Sequence, residues 1–502
     1  MYYRGTKPFF MSYLLAVDIG TTLVKGLAFT PAGQTIAIHK QQLQLLSDHP
    51  THQELEPEAV LSAVINCIQA IQTALQTPPE ALVFSCFMHS LMAVDQQGNP
   101  LSRIITWADG RSQAQADQLL QSGLGKKFYH LSGTAIHPMS PLCKLAWWRQ
   151  SSPDSYQSIH KYVSAKSYIL FQLTGQWVED YSVASASGLF DHRKLTWSQE
   201  ILAWLDIKTH QLPEAVETGT ILQPKSGAYL SSKTKVIPGA NDGCLANLGA
   251  QAWNEGDLVI TIGTSAAIRR FSDGPREDPV SMPFNYLLEK GVYVNGGASN
   301  NGGIVAAWWR DFSDGPNHWQ EMEAAAGRLS PGSDGLLALP YLMGERSPVW
   351  SANARGAILG WSKEQGPGHF YRASLEAVGF NLLQIAGILS TETIKRIIAT
   401  GGFTVSKLWV QTIADQFGVP VTIRSGEETG AIGAAMMAGK SLGWWTDYRD
   451  TPLSSAELTQ IFQPNEDHHA IYREYFSVYK RLYPILRQEM ENLNVIRQSL
   501  RS

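Results

Sequence analysis

Short apolar runs and helical periodicity alternate from the start of the chain. Leu14 to Asp18 is an apolar run that ends in a Gly-Thr turn, and Leu23 to Phe29 and Thr35 to His39 follow as strand-like segments separated by Pro31-Ala32-Gly33. This pattern predicts a three-stranded meander. From Pro57 to Gln76 the apolar residues Val60, Val64, Cys67, Ile68, Ile71 and Leu75 recur at helical spacing. Pro57 suits a first helical turn, where its missing N–H has no partner to lose. Ala81 to Cys86 is again continuously apolar, as a buried strand is. Strands and helices alternate through most of the chain, which predicts an α/β class.

The opening recurs in outline near the middle. Asp257 to Thr261 predicts a strand, Gly263-Thr264-Ser265 a turn, and Ala266 to Phe271 a second strand. A repeat of this kind predicts two domains of common ancestry whose Gly-Thr loops face each other across a cleft. The length of 502 residues agrees, since it exceeds what one hydrophobic core organises. The domains are placed at 12–250 and 251–490, with the joint near 245–256 and the helix-like tail from His468 to Arg501 closing the second. Residues 1–11 read as a tag or N-terminal extension, outside the fold.

Composition narrows the partners. Lys and Arg, 40 together, are scattered among 44 acids at a formal net charge of −4, so there is no basic stripe for a nucleic acid. Lys126-Lys127 and Arg269-Arg270 read as solvated surface. Cys67, Cys86, Cys143 and Cys244 form no metal-ligand spacing and no disulfide framework, which fits a reducing cytoplasm. No uninterrupted apolar run reaches the roughly 18 residues of a membrane span, so no membrane partner is expected.

Six segments carry candidate chemistry. In Asp18-Ile19-Gly20-Thr21-Thr22 and Thr261-Ile262-Gly263-Thr264-Ser265, glycine admits close backbone approach and threonine adds uncharged donors, a combination suited to phosphate. Only the first has a carboxylate, and a single aspartate beside nucleotide phosphates suffices for Mg²⁺, which keeps most of its waters. Pro238 to Cys244 places Asp242 in a Gly-flanked turn after an apparent strand, a seat for a general base in phosphoryl transfer. Each segment alone is compatible with an ordinary turn. Thr400-Gly401-Gly402-Phe403 lies between a strand and a helix beginning near Ser406, where backbone can lie flat on a planar ligand. Gly433 to Ser441 approaches a Walker A motif, but its spacing is one residue too long and its sequence looks helical, so it is rejected. Met88-His89-Ser90 and Trp107-Ala108-Asp109-Gly110-Arg111 offer polar groups and an aromatic face for a polyol. Trp308-Trp309 is read as core.

Taken in order, these segments resemble the FGGY carbohydrate kinases from about Tyr13 to Gly439. The resemblance is carried by DIGTT, PGANDG, TIGTS, the long ATGGFTVSKLWVQTIADQFGVPV of Ala399 to Val421, and MSPLCKLAWWRQ of Met139 to Gln150. In the last of these, Trp148 stands where an aliphatic residue or Phe is usual, a packing variation. The resemblance implies two ribonuclease H-like domains of the actin, Hsp70 and hexokinase type flanking a catalytic cleft, with ATP and Mg²⁺ as cofactors. It implies Asp18 as the metal-associated acid, Gly20, Thr21, Thr22, Gly263 and Thr264 at the phosphates, Gly401, Gly402 and Ser406 beside the adenosine, and Asp242 as the base. Met88, His89, Trp107, Asp109, Arg111 and Asn241 complete the expected substrate side, while Glu345 and Arg346 are expected to brace the second domain.

SCFMHSLMAVD, ITWADGRS, SGLFD and SNNGGIVAAWWRD look most like family members that act on gluconate. Its carboxylate needs cationic or N–H-rich partners, for which His89 and Arg111 are the candidates. A kinase for xylulose or another ketose or polyol remains the alternative, and a nucleotide-driven switch of the actin or Hsp70 kind the rival of another class. The oligomeric state is left open, a homodimer being one option.

Overall fold

The computed structural model describes residues 12–227, 229–312, 316–389, 393–424, 428–452 and 458–500. The segment 1–11 lies outside the described residues.

Two mixed sheets share one plan. The first is built from β1 (Leu14–Ile19), β2 (Leu23–Phe29), β3 (Thr35–Gln42), β4 (Ala81–Cys86) and β5 (Lys235–Asn241), in the order β5-β4-β1-β2-β3. The second uses β6 (Asp257–Ile262), β7 (Ala266–Ser272), β8 (Phe284–Glu289), β9 (Val292–Ser299), β10 (Arg396–Thr400), β11 (Val421–Arg424) and β12 (Leu458–Phe462), in the order β8-β9-β7-β6-β10-β11-β12. In each sheet the strand leading into the Gly-Thr loop runs antiparallel to the strand leaving it and parallel to the neighbour on its other side. The predicted meander is β1-β2-β3, and the repeat extends to the whole five-strand plan, with β11-β10-β6-β7-β9 matching β5-β4-β1-β2-β3.

The helices follow from apolar faces laid on these sheets. Helix α1 (Pro57–Leu75) buries Val60, Val64, Cys67, Ile68 and Ile71 against β2 and β3. Its mean hydropathy is high enough over 18 residues for it to cross a membrane by length and composition. That departs from the expectation that no segment would qualify, which counted only uninterrupted apolar residues. Its apolar stripe is occupied by the sheet, as in a core helix. Helix α2 (Pro141–Ser151) starts at Ser140, whose hydroxyl accepts from the Cys143 N–H. Trp148 on α2 packs edge-on to Tyr162. The four cysteines are buried and unpaired.

One helix crosses between the halves. Helix α3 (Asp242–Gly249) follows β5, and α7 (Thr429–Leu442) packs on α3, β1 and β4, although it comes from the second half of the chain. Helices α4 (Gly303–Phe312), α5 (Pro367–Leu389), α6 (Lys407–Phe417) and α8 (Glu466–Ser499) also belong to the second half. The crossing of α3 and α7 is close enough to exclude side chains. A Cβ on Gly249 would lie 2.0 Å from Thr429 O, and one on Gly433 2.0 Å from Leu245 O. Gly433 to Ser441 is therefore helix and not a P-loop, as its sequence indicated.

One surface assignment and one core assignment are corrected. Arg270 is buried and Arg269 part-buried, because β7 lies inside its sheet between β6 and β9. Trp308 is 44% exposed and stacks on Phe312, so only Trp309 of that pair packs inward.

Candidate active site

Strands β1 and β6 deliver the two Gly-Thr loops, and the sheet register decides what stands at their bases. Asp18 lies opposite Ser85 on β4, whose hydroxyl donates to Asp18 Oδ1 at 2.6 Å. Thr261 lies opposite Thr400 on β10, with the two hydroxyls 2.9 Å apart. Residues in register on adjacent strands share a face of the sheet, so the two contacts are equivalent. In both loops the glycine N–H closes the turn, from Gly20 to Leu23 O and from Gly263 to Ser265 O, at 2.9 Å each. The N–H groups available to an anion are thus those of Thr21, Thr22 and Thr264, and not the glycines' own.

Asp242 is the first residue of α3. Asn241 caps that helix, its Oδ1 accepting from the Cys244 N–H at 2.7 Å, while the Gly243 N–H donates to Asp242 Oδ1 at 2.8 Å. Burial, and then the nearby charge of Asp18, push the Asp242 carboxyl up to about 6 against the opposing pull of Arg269. Burial also raises Asp18 above the ordinary carboxylate range, although Ser85 and Lys25 oppose it. The N-terminus of α7 approaches the same point, with a Gly430 Cβ position 3.5 Å from Asp18 Oδ1.

Beside Asp242 opens a cavity of about 190 Å³, lined from the first half by Met88, His89 and Trp107 and from the second by Arg269, Tyr286 and Arg346. It is smaller than the roughly 300 Å³ at which drug-sized pockets begin, and its walls mix aromatic faces with polar groups as a small polyol requires. His89 adopts a left-handed backbone (φ 65), its carbonyl accepts from Lys144 Nζ at 2.6 Å, and Nε2 meets Tyr286 Oη at 3.1 Å. Burial and the charges of Lys144 and Arg346 lower its pKa to about 3. The imidazole is neutral.

Several expected contacts fall elsewhere. Asp109 and Arg111 pair with each other, Arg111 also binds Glu54 at 2.5 Å, and Asp109 accepts from the Gln53 N–H at 2.8 Å. Neither lines the cavity; they brace the loop that presents Trp107. Asn241 is fully buried and committed to its helix cap and to Ser182. The Ser406 hydroxyl is likewise spent, capping α6 and donating to Glu323 at 2.5 Å. On that side Gly401 and Gly402 remain exposed. Gly401 has φ 97 and would place a Cβ 2.5 Å from Ile262 O, so only glycine fits. With His89 neutral and Arg111 ion-paired, neither expected carboxylate partner is an available cation.

The structure brings in two groups that sequence reasoning placed elsewhere. The sequence places Arg269 at the surface and gives Arg346 a bracing role. Strand alternation could have flagged Arg269, since of two adjacent arginines on an interior strand one must face each side. Nothing local in the sequence marks Arg346, whose loop reaches the cavity only through tertiary packing.

Both halves of the chain match the FGGY family of carbohydrate kinases, its N-terminal domain over residues 13–249 and its C-terminal domain over 258–442. The chain belongs to this family and is accordingly a carbohydrate kinase, a phosphotransferase for which ATP is the family's phosphate donor. It is 34% identical to the gluconokinase of Bacillus licheniformis, over 98% of this chain and 99% of that protein. Among solved structures it resembles a gluconate kinase from Lactobacillus acidophilus (TM-score 0.92, 31% identity, 96% of this chain and 100% of that one). A ligand-bound xylulose kinase from the same organism is as similar, with a TM-score of 0.92 and 32% identity over 96% and 100%. Fold similarity alone therefore does not separate the two substrates.

Proposed function

We propose that this chain transfers the γ-phosphoryl group of ATP to the terminal primary hydroxyl of D-gluconate, giving 6-phospho-D-gluconate, with Asp242 as general base. The observation that carries the substrate is the cavity itself, in which two guanidinium groups stand with no carboxylate ion-paired to them among the described residues. The 34% identity to a gluconokinase across the whole chain supports the same choice.

Asp242 suits the base role by position and by charge. It lies at the cavity wall, and a carboxyl raised to about 6 is ionised at neutral pH yet more basic than an ordinary aspartate. Thr21, Thr22 and Thr264 offer N–H and hydroxyl donors to the phosphates from the two loops, and Gly401 with Gly402 offers flat backbone to the base of the nucleotide. Asp18 fits a hard divalent cation, because its carboxylate is part-buried, held by one hydroxyl, and close enough to Asp242 for their charges to interact. Mg²⁺ bound there would neutralise phosphate charge. In this reading 12–250 and 251–490 are the two domains, and the unpaired cysteines fit a cytoplasmic setting.

A substrate panel tests the proposal. ADP release is expected with gluconate well above the ATP-only blank and above xylulose, ribulose and glycerol. A rate with a neutral sugar and none with gluconate would replace this reading by the ketose or polyol kinase.

A further inference from the structure

We propose that Arg346, seated over Trp107, binds the carboxylate of the substrate and determines specificity for a sugar acid, with Arg269 kept for the transfer end of the same cavity. The inference rests on the gluconate reading above and names the group that reading requires.

A linear sugar acid phosphorylated on its terminal hydroxyl carries its carboxylate at the opposite end of the carbon chain. Base and carboxylate partner must therefore stand at opposite ends of the cavity. Arg269 is at the base end, with its Nε 3.1 Å from a Cβ built on Gly243 and its Nη1 donating to Thr261 Oγ1 at 3.4 Å. A guanidinium there faces Asp242 and the second Gly-Thr loop, where charge develops during phosphoryl transfer.

Arg346 stands at the Trp107 wall of the same cavity. Its guanidinium lies 5.8 Å from the centre of the Trp107 ring, Nη2 donates to Ser299 O at 3.1 Å, and Nε is buried with no acceptor among the described residues. Glu345, its neighbour in sequence, does not neutralise it through an ion pair. The Glu345 carboxylate instead accepts from Ser299 Oγ at 2.6 Å, Asn301 Nδ2 at 2.9 Å, the Asn300 N–H at 3.1 Å and the Arg346 backbone N–H at 2.7 Å. Asn301 also donates to Gly344 O at 2.7 Å and accepts from the Met343 N–H at 3.1 Å. This network holds the backbone of Arg346, and among the described residues no carboxylate is ion-paired to its fork of donors, although the charge of Glu345 reaches it. Such a side chain is costly to bury unless an anion completes it. A planar guanidinium also matches a carboxylate in shape and donor spacing. Burial opposes the charged form of both guanidinium groups, and Arg269 adds to that opposition at Arg346, against the pull of Glu345; an incoming carboxylate relieves it.

The test compares gluconate with D-glucitol, the same chain with an alcohol in place of the carboxylate, in the full-length protein and in Arg346→Gln, Arg346→Lys and Arg269→Gln. Steady-state rates are measured for gluconate, and inhibition constants against gluconate for D-glucitol. Arg346→Gln is expected to raise the gluconate KM by about 100-fold, with kcat falling no more than about tenfold, while D-glucitol binding changes by less than about threefold. Arg346→Lys should recover part of the gluconate affinity, and Arg269→Gln should lower kcat more than it raises KM. Equal weakening of gluconate and D-glucitol in Arg346→Gln would make the residue structural and overturn the assignment. So would an unchanged gluconate KM in Arg346→Gln when the wild type turns gluconate over. A wild type that turns over a neutral ketose and does not bind gluconate would overturn the proposed function along with it.

Discussion

The two Gly-Thr loops occupy equivalent places in equivalent sheets, yet their chemistry differs at one register position. In the first, Ser85 donates to the carboxylate of Asp18; in the second, the hydroxyls of Thr261 and Thr400 meet each other. The backbone geometry is shared, down to the glycine N–H that closes each turn at 2.9 Å. Duplication of a fold thus carries a phosphate-binding turn into both halves, and a single side chain decides which of them also carries charge. Because Asp18 is close enough to raise Asp242, the charged loop also acts on the proposed base, and the neutral loop does not.

The largest effect should come from removing the base that neither loop contains. Asp242→Asn is expected to lower kcat by about 10²–10⁴-fold with ATP affinity nearly unchanged, measured by steady-state assay and nucleotide titration. Near-normal turnover would end the assignment. The sign of the pKa shift adds a second readout. The folded-state value is raised from 3.8 to about 6, so the folded protein binds the proton more tightly than the unfolded chain, and stability declines as pH rises through that window. Above about pH 6 the ionised Asp242 is destabilising, and Asp242→Asn should melt at a higher temperature than wild type at pH 8.

Asp18→Asn is the intermediate case and tests the difference between the loops directly. Turnover should fall by about 10–100-fold, with a higher Mg²⁺ concentration needed for half-maximal rate. In wild type, kcat/KM should decline as pH falls through about 6 while Asp242 takes up its proton. Removing the Asp18 charge should move that acid limb to lower pH. An unmoved limb would show that the two carboxylates do not communicate. Thr261→Val should have the smallest effect, about a three- to tenfold loss in kcat/KM, since it removes one neutral hydroxyl. A loss as large as that of Asp18→Asn would erase the distinction between the loops.

Much of this was legible before any coordinates. The strand boundaries around both loops, helix α1 and the helical character of Gly433 to Ser441 follow from apolar spacing, which is a local property. The positions of Asp18 and Asp242 were legible because each sits at a strand end with turn chemistry beside it. Asn241, Ser406, Asp109 and Arg111 were misplaced for a common reason. A polar side chain in a suggestive motif has competing local uses, as a helix cap or an ion pair, and sequence spacing does not say which wins.

The sequence by itself determined the α/β class, the duplicated Gly-Thr turns and the asymmetry between Asp18 and Thr261, because each depends on residues within a few positions of one another. Only the tertiary structure decided that α7 from the second half packs on the first sheet, that Arg269 lies beside Asp242, and that Arg346 meets Trp107 from the other half of the chain. These are contacts between segments far apart along the chain. Their partners are selected by shape and burial across the cleft, and no local pattern encodes that choice.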